Sequence, residues 1–192
     1  MNKLIFAIWC CMLVAGMVWI SDYSTRPAKS DGVLDLWPEE TTLRCGGDSC
    51  LLLFVHPRCP CTRATLRQLE KLSADTADAI RRPRIVTLCY CPDTAEEGWA
   101  KTDIWESASA LGEVILDPGG EEAGRFGIST SGHIILFDHG VRIFDGGITA
   151  GRGHEGEPPA LTALIGCIRG RENKQCAFPV YGCGLFERGI EQ

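Results

Sequence analysis

The sequence predicts an α/β chain, a mixed central sheet flanked by helices and preceded by an N-terminal transmembrane helix. Three observations carry that expectation. Two apolar runs of strand length, "LLLFV" at 51–55 and "RIVTLCY" at 84–90, read as parallel strands buried on both faces. Between and after them apolar residues recur at three- and four-residue steps, the period of a helix. Late in the chain "HIILF" and "VRIF" flank Asp138-His139-Gly140, turn chemistry that predicts a hairpin and so adds antiparallel strands to the sheet.

The elements follow in order. Residues 4–20, "LIFAIWCCMLVAGMVWI", contain no charge and no proline, which meets the lower limit for a spanning helix of roughly 17 residues. Met17 to Ile20 prolong the apolar run past Ala15 and Gly16, where a cleaved signal would end, so an uncleaved anchor over 1–21 is expected. A polar linker, 22–44, leads to "CGGDSC" at 45–50 and the first buried strand. After Pro60, Leu66, Leu69, Leu72, Thr76 and Ile80 mark a helix that Pro83 stops. Ala100, Ile104, Ala108 and Leu111 mark a second helix, "EVILD" a short strand, and Leu161, Leu164, Ile165 and Ile168 a last helix closed by Gly170. The main domain is placed at 45–170, with a cysteine-containing tail at 171–192.

Composition narrows the function. The net charge of −6 argues against a nucleic-acid partner, which calls for a basic face. Eleven cysteines point to a compartment where disulfides persist, and they orient the domain to the outside of the membrane. The flanking charges, Lys3 against Arg26 and Lys29, decide nothing about orientation.

Functional groups in sheets with parallel strands gather at the carboxyl ends of the strands. Cys59 and Cys61 follow the first core strand, and Cys89 and Cys91 lie at the end of the second, so both pairs are expected on one edge. Cys59-Pro60-Cys61 also opens a helix, where unpaired N–H groups favour a thiolate, and Arg58 and Arg63 add positive charge. A bridge between positions i and i+2 is allowed, since Cα atoms about 5.5 Å apart fall within disulfide range. Its small ring predicts strain and easy exchange. An inert bridge or half of a metal site is the plainer alternative. Cys89 and Cys91 are a candidate second thiol pair, open between structural and exchangeable roles. Cys45 with Cys50, and Cys176 with Cys183, are spaced for local structural disulfides. Cys167 is expected to be a buried small hydrophobe.

With the pair placed on strand, turn and helix, the chain resembles a thioredoxin-fold protein. "HPRCPCTRATL", "RFGISTSGH" and "GGITAGRGHEG", in that order, are similar to the RedB-type thioredoxin-like proteins. The resemblance implies a thioredoxin-like fold and a domain on the periplasmic side of a bacterial cytoplasmic membrane. It also makes Cys59 the attacking thiol and Cys61 the resolving one, with protein thiols or disulfides as partners and no cofactor. Cys59 is expected to be the more acidic and the more accessible of the two. The chain departs from the thioredoxin pattern in having one residue between its cysteines, and Gly132, before His133, where the cis-proline falls.

The leading expectation is thus a membrane-anchored thiol–disulfide oxidoreductase using Cys59 and Cys61, with Gly132 and His133 as supporting residues. The alternative is copper(I) binding and delivery on the same fold, with Cys59, Cys61 and His154 as ligands, because soft metals accept thiolates and imidazole. A peroxidase would draw on Thr62, but the proline-rich signature is missing. A binding module without chemistry would not need the cysteine pair.

Overall fold

The computed structural model describes residues 2–28, 34–44, 49–171 and 177–186. Helix α1 (Asn2–Thr25) is 24 residues, about 36 Å at ~1.5 Å per residue, against a hydrocarbon layer of roughly 30 Å. Its large apolar side chains are exposed, and it is long and apolar enough to cross a membrane. Membrane anchors and signal sequences share those properties. The helix continues four residues past the expected end, where Thr25 donates its hydroxyl to the Ser21 carbonyl at 2.9 Å and Asp22 pairs with Arg26.

The sheet holds β1 (Ser49–Val55), β2 (Arg84–Cys91), β3 (Glu113–Pro118), β4 (His133–Asp138) and β5 (Val141–Gly146), in the spatial order β3-β2-β1-β4-β5. β1 pairs parallel with β2 and β2 with β3, whereas β4 runs antiparallel to both β1 and β5. The central strand β1 is buried almost throughout because neighbours cover both its edges and both its faces, which is why "LLLFV" shows no alternation. Helices α2 (Thr62–Asp75), α3 (Asp103–Leu111), α4 (Glu121–Arg125) and α5 (Pro159–Ile168) complete the domain. A parallel βαβ unit followed by an antiparallel hairpin and a closing helix, with a cysteine pair between the central strand and its helix, is the thioredoxin-like arrangement.

Leu51, Leu53 and Val55 pack with α2, α3 and α5, while Leu52 and Phe54 pack in a second cluster with Phe126, Phe137 and Leu43. Each fully buried large apolar side chain contributes about 1.5–3 kcal/mol. Helix α2 ends at Asp75, five residues before the expected Ile80. Thr76 turns its hydroxyl and N–H back onto the Leu72 carbonyl, and Ile80 stands 87% exposed. α4 is too short to show a period in the sequence. Asp117 holds its start by accepting the N–H groups of Glu122 and Ala123.

Two segments expected to be peripheral lie against the sheet. Leu36 bridges to Val141, the Arg142 N–H donates to the Asp35 carbonyl at 2.9 Å, and Trp37 packs edge-on against Phe126 and Phe137. The C-terminal stretch 177–186 forms a strap. The Phe178 N–H donates to the Asp145 carbonyl, Val180 is buried, and Leu185 enters the second core cluster.

Candidate functional site

β1 ends at Val55, and two successive turns carry the chain into α2. The Cys59 N–H closes the first on the His56 carbonyl at 3.0 Å, and the Thr62 N–H closes the second on the Cys59 carbonyl at 3.2 Å. Opposite them stands the loop 129–132. Gly132 adopts φ +86, a left-handed conformation that glycine reaches without cost, and its N–H donates to the Phe54 carbonyl at 2.8 Å. A β-carbon at Gly132 would sit 3.1 Å from the Thr65 hydroxyl oxygen. Glycine at 132 is what lets the loop close on the β1 end.

The strap lies across the same loop. The Ser131 N–H donates to the Cys183 carbonyl at 2.8 Å, the Leu185 N–H donates to the Ser129 carbonyl at 2.9 Å, and Thr130 bridges antiparallel to Gly184. Gly182 passes so close that a β-carbon would lie 1.8 Å from the Ser131 carbonyl oxygen. The result is a cluster of three sulfurs, Cys59, Cys61 and Cys183, all within 4.8 Å of one another.

The electrostatics of the three differ. Cys59 is held as a thiolate, its pKa pulled down from 9.0 to about 4, first by the Cys183 thiol donating to its sulfur. The hydroxyl and N–H of Thr62 and the N–H of Cys183 add to this and outweigh the cost of burial. With the Thr62 hydroxyl directed to that sulfur, Ser131 becomes the donor in the 2.7 Å Ser131–Thr62 pair, and the Ser131 oxygen accepts the His56 N–H at 2.8 Å. A proton-donor chain therefore ends on Cys59. Burial and the neighbouring Cys59 charge push Cys61 up, with the Cys183 thiol and then the Arg152 guanidinium opposing them. Cys183 is pushed up because its proton is engaged by Cys59, with burial adding to the effect.

Several expectations are revised here. Cys59 was expected to be the more accessible thiol, yet it is 2% exposed while Cys61 is half-buried. The strap covers it. Arg58 does not face the thiols, since its guanidinium lies 4.4 Å from the Trp99 ring centre. Arg63 pairs with Asp103 at 2.6 Å on the surface while its charge also acts on Cys59, as expected, and Arg152 is a further arginine, whose charge acts on Cys61. His133 is buried with its ring bonded to Asp145, which in turn accepts from Arg142 at 3.0 Å. That pairing commits the ring to β5. His154 is exposed, with its N–H on the Gly151 carbonyl. Among the described residues the third donor beside Cys59 and Cys61 is Cys183, in place of His154.

Cys89 and Cys91 lie at the same sheet edge, with Cys89 paired to Val55 in the β-ladder. Cys89 is fully buried among Leu51, Leu53 and Val55, and burial pushes its thiol up to about 12. The half-buried Cys91 thiol lies 3.6 Å from the Pro92 carbonyl. Cys50 is buried in β1, and Cys167 is buried in α5, its thiol 3.3 Å from the Ile143 carbonyl. Cys45 and Cys176 lie outside the described residues, so the two local bridges expected for them do too. Sequence reasoning missed Ser131, Arg152 and the site role of Cys183. The tail "FPVYGCGLF" at 178–186 lies within the span of the resemblance, and its "GCG" was an available signal, since two glycines around a cysteine suit a close backbone approach.

No family model matches the chain, and no curated protein matches it either. Solved structures do. An uncharacterized conserved protein from Geobacillus kaustophilus aligns with a TM-score of 0.60 at 15% identity, covering 86% of this chain and 94% of that one. A hypothetical protein from Sinorhizobium meliloti 1021 aligns with a TM-score of 0.58 at 17% identity, covering 86% and 97%. A secreted Mycobacterium tuberculosis disulfide oxidoreductase homologous to E. coli DsbE aligns with a TM-score of 0.44 at 14% identity, covering 64% and 81%. At these identities the first two describe a shared fold.

Proposed function

We propose that this chain is a membrane-anchored thiol–disulfide oxidoreductase of the RedB-like type, its domain on the periplasmic side of a bacterial cytoplasmic membrane. Its partners are protein thiols and disulfides. Cys59 is the nucleophile and Cys61 a resolving thiol. One observation carries the reading, namely the convergence on the Cys59 sulfur of donors from Cys183 and Thr62, which favour the thiolate that exchange requires. The apolar helix α1 and the nine cysteines outside it support the location.

Exchange begins when the Cys59 thiolate attacks one sulfur of a partner disulfide and the other partner sulfur leaves as a thiolate. A neighbouring thiol then attacks the Cys59 sulfur and releases the second partner sulfur. In the doubly substituted Cys61→Ser, Cys183→Ser protein no neighbouring thiol remains in the cluster. That protein is expected to trap partner proteins through Cys59, and the trapping is expected to survive His154→Ala. Absence of any Cys59-dependent adduct would remove the reading.

A second reading is favoured by the sulfur cluster itself. Three thiol sulfurs within 4.8 Å suit a soft cargo ion such as copper(I). It predicts tight one-to-one copper(I) binding, weakened at least tenfold by Cys183→Ser and unchanged by His154→Ala, measured by competition with a chromogenic chelator.

A further inference from the structure

The strap is pinned at several points before and after Cys183. The Phe178 N–H donates to Asp145 at 2.9 Å, the Gly147 N–H to the Pro179 carbonyl at 3.3 Å, and the Ala28 N–H to the Val180 carbonyl at 2.8 Å. Arg152 donates to the Gly182 carbonyl. Beyond the site Leu185 is buried, and Phe186 packs edge-on against Tyr90 and so near Gly120 that a β-carbon there would collide with its ring. Between these anchors the backbone pairs antiparallel with residues 129–131 through the Ser131 and Leu185 N–H groups. An extended segment held along that loop, with a cysteine sulfur against Cys59, has the placement that an incoming partner cysteine would need. Here the chain supplies that cysteine itself.

We propose that Cys183 is a third redox thiol of this site, an internal substrate that the strap delivers to Cys59 to form a Cys59–Cys183 disulfide during the exchange cycle. This rests on the exchange reading above. The strap must lift for a partner to reach Cys59, which it covers. Cys59 attacks the partner disulfide, a mixed disulfide forms, and one partner sulfur departs as a thiolate. The strap then returns. The Cys183 sulfur gives up its proton, attacks the Cys59 sulfur and expels the second partner sulfur as a thiolate. The partner disulfide has gained two electrons, and Cys59 and Cys183 have lost them. Cys61 can next attack the Cys59 sulfur and release Cys183, an isomerisation that needs no further oxidant. The proximity of all three sulfurs permits each of these attacks.

The test uses the full chain in detergent, reduced and then exposed to oxidised glutathione, quenched by alkylation and mapped by tandem mass spectrometry, which separates Cys183 from Cys176. In Cys61→Ser a Cys59–Cys183 link is expected to accumulate. The glutathione adduct at Cys59 should disappear at least tenfold faster there than in the Cys61→Ser, Cys183→Ser protein. Gly182→Ala keeps every thiol but drives a methyl group into the Ser131 carbonyl. It is expected to raise the rate of Cys59 alkylation at least tenfold and to lower the yield of the link. A persistent Cys59–glutathione adduct in Cys61→Ser, with Cys183 still alkylated, overturns the inference while leaving exchange standing. So does a Gly182→Ala protein with unchanged rates and yields. No adduct at Cys59 in any variant overturns the inference and the exchange reading together.

Discussion

Two Cys-x-Cys pairs sit at the ends of adjacent strands and differ in nearly everything except their spacing. Cys59 and Cys61 leave β1 through a turn into α2, whereas Cys89 and Cys91 remain inside β2. Cys59 and Cys89 are both almost fully buried. Burial alone favours the neutral thiol, and at Cys89 nothing opposes it, so that thiol rises to about 12. At Cys59 four donors from Cys183 and Thr62 meet the sulfur, and it falls to about 4. Thiol acidity here is set by what points at the sulfur, and the spacing of the cysteines has little part in it.

The largest expected contrast comes from removing each buried sulfur. Cys59→Ser should abolish thiol exchange, at least a thousandfold in an insulin or glutathione-mixed-disulfide turnover assay. Cys89→Ser should leave that rate within about threefold while lowering stability by roughly 1–3 kcal/mol in denaturant unfolding, because a hydroxyl enters an apolar site. Equal losses from both would erase the distinction drawn above.

The pH dependence of labelling should show the next largest effect. In the unsubstituted protein, where Cys183 still donates to the sulfur, Cys59 should react with iodoacetamide slowly but steadily across the neutral range and lose reactivity only as pH falls through about 4. The sign follows from a thiolate favoured by folding. Its contribution to stability is complete above the unfolded value of 9.0 and is lost as pH falls through the folded one. Cys89 should stay unlabelled until alkali or unfolding exposes it. A Cys59 midpoint near 9 would mean that the donors do not hold the anion.

A smaller shift should follow Thr62→Val, which keeps side-chain shape and removes one hydroxyl donor. Hydrogen bonds to charged groups contribute about 1.5–3 kcal/mol, so the Cys59 labelling midpoint should move up by roughly one to two pH units. No movement would transfer the effect to Cys183 and the backbone donors.

Much of the fold was legible because it is local. The continuous apolar runs gave β1 and β2, and Asp138-His139-Gly140 gave the turn between β4 and β5, with His139 at φ +48. The position of Cys59 and Cys61 between a strand and a helix could also be read directly. The rest of the site depends on long-range closure. Cys183 is far from Cys59 in sequence, and its nearest cysteine, Cys176, suggested a local bridge. Ser131 looks like any loop serine until the strap and the β1 end meet on it. The expected exposure of Cys59 failed for the same reason, since no pattern in residues 54–72 reports a cover that arrives from the end of the chain.

One contact at the base of α1 has a mechanical consequence. The Arg152 N–H donates to the Ser24 carbonyl at 2.9 Å, and its guanidinium lies 5.1 Å from the Tyr23 ring centre. The same guanidinium donates to the Gly182 carbonyl and places its charge near Cys61. On the anchored reading proposed above, these contacts act as a bracket that ties residues 150–152 and the strap to the end of the anchor and keeps the domain close to the bilayer. On that same reading its encounters become searches within a thin layer along the membrane surface, and the exchange proposed above should favour partners whose disulfides lie near that surface.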